Sequence, residues 1–106
     1  MNMYHLRYLD TLDSEIAAIE EYLETQFVSP GVVLTPIFDR IEKALPTSPY
    51  MYPVYQDDPR FRKMVVEKYL VLYVIKEEQQ TVEIHHILHG IRNIKRLLQK
   101  IPICRM

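Results

Sequence analysis

Apolar residues recur every three or four positions in the first half of the chain, and this spacing predicts two helices. The first stripe consists of Leu12, Ile16, Ile19, Leu23 and Phe27. Asp10 or Asp13 is the predicted cap at its start, because a carboxylate can accept hydrogen bonds from the first free backbone N–H groups. The second stripe consists of Val33, Ile37, Ile41 and Leu45, supported by Leu34 and Phe38.

The triplet Ser29-Pro30-Gly31 separates the two predicted helices. Serine suits the N-cap position and proline suits the first helical position, so we expect the second helix to begin here. Pro36 leaves two alternatives open. Either it kinks one continuous helix, because proline removes a backbone hydrogen bond, or the helix restarts with Thr35 as its cap. In both cases the two segments form a helical hairpin.

Alternating polar and apolar residues predict strands in the rest of the chain. A short strand is expected within residues 3–9, before the helices. After a proline-rich connector at residues 46–60, three strands follow at residues 61–66, 69–75 and 81–88. Gly90 ends the last strand, and apolar spacing predicts a closing helix over residues 91–101. This order indicates one α+β domain over residues 1–106, in which the hairpin packs on an antiparallel sheet.

Composition narrows the class of protein without specifying its function. Hydrophobic residues make up 48% of the chain and charged residues 25%, as in an ordinary globular domain. The chain has one cysteine, Cys104, and contains no metal-ligand spacing and no glycine-rich phosphate loop, so we expect no cofactor. The sequence also lacks a signal-peptide or membrane-span pattern, and we therefore expect a cytoplasmic protein.

The net charge of −1 conceals an asymmetry along the chain. Residues 1–30 carry one basic and six acidic residues, a net charge of −5. Residues 61–106 carry nine basic and four acidic residues, a net charge of +5. The basic half is predicted to face a polyanion or an acidic protein partner, although a solvated surface explains it equally well.

Four segments occur in a distinctive order. They are the acidic helix ending in Ser29-Pro30, then RKMVV at residues 62–66, KYLVLY at residues 68–73, and ILHGIRN at residues 87–93. With these segments the chain resembles the RelE/ParE superfamily of toxins from type II toxin–antitoxin systems over residues 4–98. The resemblance implies a β-α-α-β-β-β fold with a C-terminal helix, and a plasmid-stabilisation type of toxin that a cognate antitoxin neutralises.

Two activities occur in this superfamily. RelE-type toxins cut messenger RNA in the ribosomal A site, whereas ParE-type toxins inhibit DNA gyrase and are not nucleases. Metal-independent RNA cleavage needs groups that accept the 2′-hydroxyl proton, stabilise charge on phosphate and protonate the leaving oxygen. The resemblance implies that such groups lie on the sheet and near its C-terminal end.

Basic side chains on or near the predicted strands are the candidate catalytic residues: His89, Arg92, Arg62 and Lys63. His89 suits acid–base catalysis because imidazole titrates near neutral pH. Arg92 suits bidentate binding of a charged phosphate. Arg62 or Lys63 is predicted to hold phosphate, but only one of them can point to a given face because strand neighbours alternate.

The predicted RNA- or partner-binding residues are Arg60, His85, Lys95 and Arg96. In a regular strand His85 and His89 would lie on the same face. His86 occupies a position that alternates with apolar residues and is predicted to line the core. The basic residues after Gly90 also fit a simpler interpretation, in which they solvate the outer face of a helix.

The sequence favours RNA cleavage as the leading hypothesis, with the ribosome and mRNA as targets. The dense histidines of HHILH at residues 85–89 support it, since ParE-type toxins do not need them. The near-neutral net charge and the lack of tyrosine in residues 91–106 oppose it. Inhibition of DNA gyrase is the first alternative, and an antitoxin-binding homologue without toxicity is the second.

Overall fold

The computed structural model describes residues 3–89, which form two helices and a four-stranded sheet. The elements in chain order are β1 (His5–Tyr8), α1 (Leu12–Thr25), α2 (Pro30–Ala44), β2 (Arg62–Val66), β3 (Tyr69–Lys76) and β4 (Thr81–His89). This order confirms the predicted succession of one strand, two helices and three strands. The helix predicted over residues 91–101 lies outside the described residues.

The predicted apolar stripe of α1 faces the core along most of its length. Leu12, Ile19 and Leu23 are buried. The prediction was wrong for Phe27, because α1 ends at Thr25 and the phenyl ring of Phe27 is 97% exposed. Phe27 has a φ of 57°, so the chain turns into the left-handed region as it leaves the helix. That turn directs the side chain away from the stripe.

The N-cap of α1 also differs from the prediction. Thr11 occupies the N-cap position, and no side chain bonds the free N–H groups of the first turn. Asp13 lies inside the first turn instead, where its negative charge interacts favourably with the positive end of the helix dipole. Neither Asp10 nor Asp13 therefore caps the helix as predicted.

The second helix, α2, runs continuously from Pro30 to Ala44 and includes Pro36. The alternative in which the helix restarts at Thr35 is therefore wrong. Ser29 is the N-cap residue and Pro30 the first helical residue, as predicted. Since Pro36 has no N–H group, the carbonyl of Val32 lacks its usual donor four residues later. The core-facing residues are Leu34, Ile37 and Ile41.

The strands are ordered β1-β4-β3-β2 in the sheet. β2, β3 and β4 form the predicted antiparallel meander, whereas β1 pairs with β4 in parallel, which makes the sheet mixed. β1 covers only the first part of β4, from Thr81 to Ile84. The remainder of β4, residues 85–89, has no neighbouring strand on that side among residues 3–89.

One extra residue in β4 interrupts the alternation of its faces. Leu72 of β3 pairs with His86, but Tyr73 pairs with Ile84, so His85 is the extra residue of a β-bulge. Ile84 packs in the core beneath the helices. His86 lies on the opposite face, where its ring centroid is 5.5 Å from that of Phe61. The regular alternation predicted over residues 81–88 is therefore wrong from His85 onward.

Both faces of the sheet are covered. The helices pack on one face and form the larger core with residues such as Met64, Tyr73 and Ile84. The first part of the connector packs on the helix side through Tyr52, and its second part covers the other face, where Tyr55 and Phe61 pack on apolar residues of β3 and β4. The buried Tyr73 hydroxyl donates a hydrogen bond to the Pro49 carbonyl at 2.6 Å, and burial raises the pKa of this phenol. This hydrogen bond attaches the connector at Pro49 to β3, a central strand of the sheet.

Replacing Pro36 with alanine is expected to stabilise the protein by about 1–3 kcal/mol, because it restores the missing donor to the Val32 carbonyl. The free energy of unfolding, measured by urea titration with circular dichroism, checks this. Pro30→Ala is the matched control and should change stability little, since a proline at the first helical position removes no helical hydrogen bond. A Pro36→Ala protein no more stable than the parent would show that the missing hydrogen bond does not weaken α2.

Candidate functional site

The two candidate phosphate-binding residues of β2 point to opposite faces of the sheet, because strand neighbours alternate. Arg62 is half-buried, and its Nη1 donates to the Tyr52 carbonyl at 2.7 Å. Its guanidinium also lies 5.0 Å from the ring centroid of Tyr50. Arg62 thus holds the connector against the sheet, whereas Lys63 pairs with no acidic side chain in the described part of the chain.

A carboxylate shared by two tyrosines lies at the same end of the sheet as Arg62. The Tyr4 hydroxyl donates to the Glu77 carboxylate at 2.8 Å, and the Tyr50 hydroxyl donates to the same group. These hydrogen bonds lower the pKa of Glu77, and the bond to Glu77 raises the pKa of Tyr50 to about 12. The cluster joins the start of β1, the connector and the β3–β4 turn. Sequence reasoning missed it because no local spacing relates the three residues.

Arg60, a predicted binding residue, forms a bidentate pair with Asp58. Its Nε and Nη2 lie 2.8 and 2.6 Å from the two carboxylate oxygens. The hydrogen bond from Arg60 is the main cause of the lowered pKa of Asp58. The guanidinium also lies 5.2 Å from the ring centroid of Phe61. The charge of Arg60 is therefore already compensated within the connector.

The histidines of HHILH divide between the two faces of the sheet. His85 and His86 flank the Phe61 ring on the connector side, with centroid distances of 5.3 and 5.5 Å. His89 lies on the helix side, with its ring 5.0 Å from those of Tyr22 and Tyr69. The expectation that His85 and His89 share a face is wrong, because the extra residue changes the alternation between them.

The two connector-side histidines are paired with glutamates. His85 Nε2 lies 3.2 Å from Glu83, and burial lowers the pKa of His85 while the Glu83 hydrogen bond opposes that shift. His86 is buried, as predicted, and its Nδ1 lies 2.7 Å from Glu15 of α1. Neither imidazole is presented openly to solvent.

The candidate catalytic residues within the described part of the chain do not converge. Arg62 pairs with Tyr73 and His89 pairs with Tyr69, four residues apart along β3. This separation corresponds to about 13 Å of strand. Lys63 lies on the other face. The remaining candidates, Arg92, Lys95 and Arg96, lie outside the described residues.

An apolar groove runs beside α1, with Tyr22 and His89 near its middle; we call it the α1 groove. It consists of two cavities of about 430 and 470 Å³ that share Tyr22 and His89 in their walls. The first cavity lies between α1 and the end of β4, and the second between the helices and the β2–β3 turn. Other lining residues include Ala18, Ile19, Ile87, Val33, Ile37 and Val66.

Exposed apolar side chains border the α1 groove. Tyr22 is 46% exposed and Val32 is 69% exposed. A concave apolar surface with large exposed side chains at its rim is typical of a site that binds another molecule. Sequence reasoning missed Tyr22 because this residue lies outside the core-facing stripe of α1. A large aromatic side chain at such a position was the sequence signal that could have indicated the groove.

The excess positive charge of the C-terminal half does not lie within its described residues. Residues 61–89 contain four basic and four acidic residues, a net charge of zero. The five other basic residues of the C-terminal half all fall within residues 90–106. Residues 3–89 carry eight basic and fourteen acidic residues, a net charge of −6.

The described residues form no metal centre. Within residues 3–89, no group of three or more His, Cys, Asp or Glu side chains is placed to hold an ion. The histidine–glutamate contacts are separate pairs on different parts of β4.

Within residues 3–89, neither helix has the length and apolar character needed to cross a membrane.

Arg62→Ala is expected to lower the free energy of unfolding by about 1–2 kcal/mol, because it removes a charged hydrogen bond and a cation–π contact. Lys63→Ala, on the same strand and with the same loss of charge, should change it by less than about 0.5 kcal/mol. Urea unfolding of both variants checks the difference. Equal effects would show that Arg62 does not hold the connector.

Three solved structures have the same fold, each at low sequence identity. The RelBE2 toxin–antitoxin complex from Mycobacterium tuberculosis matches with a TM-score of 0.65 and 19% identity, covering 82% of this chain and 98% of the other. The chromosomal ParDE system from P. aeruginosa matches with a TM-score of 0.65 and 15% identity, covering 83% and 97%. The isolated E. coli RelE toxin matches with a TM-score of 0.50 and 14% identity, covering 89% and 98%.

The sequence comparison is more specific about the family. The model of the ParE toxin of type II toxin–antitoxin systems, parDE, matches residues 6–94, which is most of the chain. A comparison with curated proteins finds no match. The family model and the fold agree with the resemblance carried by the segments between Ser29 and residue 93. The chain belongs to the ParE toxin family, within the RelE/ParE superfamily of type II toxin–antitoxin toxins.

Proposed function

We propose that this toxin arrests growth by binding DNA gyrase rather than by cutting RNA. The observation that carries the proposal is the separation of the candidate catalytic residues. Arg62 on β2 and His89 on β4 share a face but are offset by about 13 Å along the strands, with β3 between them, and Lys63 lies on the other face. General acid–base catalysis requires groups within hydrogen-bonding reach of the same reacting bond, and this arrangement favours a binding protein over a nuclease.

The state of the basic side chains supports the same proposal. Arg60 is bound to Asp58, and Arg62 to a backbone carbonyl and an aromatic ring. To hold phosphate, each would first have to give up these contacts. The net charge of −6 over residues 3–89 also disfavours contact between this part of the chain and RNA.

The antitoxin is proposed to bind the α1 groove. A toxin of this class has a cognate antitoxin partner, and two of the structural neighbours are described as toxin–antitoxin assemblies. The groove offers apolar walls and the exposed Tyr22 and Val32. Glu15, Glu67 and Lys68 also line it. An antitoxin segment with apolar side chains would complement its walls.

Inducible expression of the chain without antitoxin tests the activity. The proposal predicts growth arrest with intact messenger RNA, and loss of supercoiling when purified toxin is added to purified gyrase. New mRNA ends that appear only on translated messages, together with unaffected gyrase, would overturn it and support RNA cleavage. Expression with no growth defect would instead support an antitoxin-binding homologue without toxicity.

Tyr22→Lys is expected to weaken antitoxin binding at least about tenfold, because it places a charge in the apolar groove. Titration of the purified antitoxin by calorimetry measures the change. Val65→Lys is the matched control, since Val65 is similarly exposed but lies on β2, away from the groove. Equal affinities for the two variants would place the antitoxin elsewhere.

A further inference from the structure

The second half of β4 is a sheet edge without a strand beside it in the described part of the chain. β1 ends its pairing at Ile84, where the Leu9 N–H donates the last hydrogen bond to the Ile84 carbonyl at 3.2 Å. The chain then turns away into α1. Unpaired backbone groups at such an edge are a template for pairing with another strand, and proteins generally protect them.

The carboxylate of Glu15 lies at this edge. Its Oε1 accepts a hydrogen bond from the Ile87 backbone N–H at 3.0 Å. Its Oε2 lies 2.7 Å from Nδ1 of His86. One side chain of α1 therefore binds the backbone of one residue and the side chain of its neighbour, at the first edge position that β1 leaves open.

The surroundings make this contact strong and difficult to replace. The side chains of Glu15 and His86 are only 17% and 6% exposed. In such an environment a hydrogen bond to a carboxylate is stronger than in water, and losing it leaves buried polar groups without partners. Since the Ile87 N–H is the group that a neighbouring strand would bind, Glu15 and such a strand compete for the same donor.

We propose that Glu15 closes the β4 edge in place of a fifth strand, and that it thereby keeps this edge from pairing with the same edge of a second copy of the chain. Two copies related by a two-fold axis would present these edges to each other in antiparallel orientation. Ile87 and His89, two residues apart, direct their backbone groups to the same side and would form that ladder. The proposal is independent of whether the target is gyrase or RNA.

Glu15→Ala tests the proposal, with Glu20→Ala as the matched control because Glu20 is an exposed glutamate on the same helix. Amide exchange measured by NMR reports on the Ile87 N–H, and sedimentation reports on association. In dilute Glu15→Ala the Ile87 amide should exchange about tenfold faster or more than in the parent. At high concentration the variant should dimerise and the Ile87 amide should become protected again, while the parent and Glu20→Ala remain monomeric.

Three outcomes would overturn the proposal: an Ile87 amide that stays fully protected in dilute Glu15→Ala, a variant that associates no more than the control, or a dimer in which Ile87 is not protected. If Glu15→Ala does not fold, amide exchange and association are measured on Glu15→Asp instead. It keeps the charge but shortens the side chain by one methylene, so the carboxylate no longer spans both Ile87 and His86. Parent-like exchange in Glu15→Asp would show that direct contact is not required.

Discussion

The extra residue at His85 determines which face of the sheet each residue in the second half of β4 points to. Without it, His86 would point toward the helices, and Ile87 would leave the core. With it, Ile87 packs under α1, His86 turns to the connector side, and the backbone between them meets Glu15. The separation of His85 from His89, and therefore the absence of a convergent histidine pair, follows from this single insertion in the strand.

Several residues that suggest chemistry in the sequence serve to hold the connector in this fold. The connector contains four prolines and no long helix or strand, so it cannot be stabilised by a regular hydrogen-bond ladder. Besides isolated backbone hydrogen bonds such as that from the Lys63 N–H to the Pro53 carbonyl, it is fixed by side chains: Arg62 on the Tyr52 carbonyl, Tyr73 on the Pro49 carbonyl, and Glu77 between two phenols. Strongly polar groups near a sheet end are therefore not by themselves evidence of an active site.

The sequence predicts those features that depend on local periodicity. The core of α2 and the meander of β2, β3 and β4 follow from repeats of about four and two residues, and both are confirmed. Phe27 continues the α1 stripe in sequence, but the helix ends two residues before it. The bulge at His85 is not visible in the sequence, because HHILH fits both a regular and an interrupted strand. The groove and the Glu15 contact join residues far apart in the chain, for which no local pattern exists.

The position of β1 has a consequence for when the sheet can be completed during synthesis. β1 lies near the start of the chain, yet its pairing partner is β4, the last strand described. Contacts between such distant segments form late, because a long stretch of chain must first be ordered. During synthesis, β1 and the helices leave the ribosome without the strand that completes the sheet. The complete sheet can therefore form only after β4 has left the ribosome, and until then β1 and the helices lack the strand that joins them to β3.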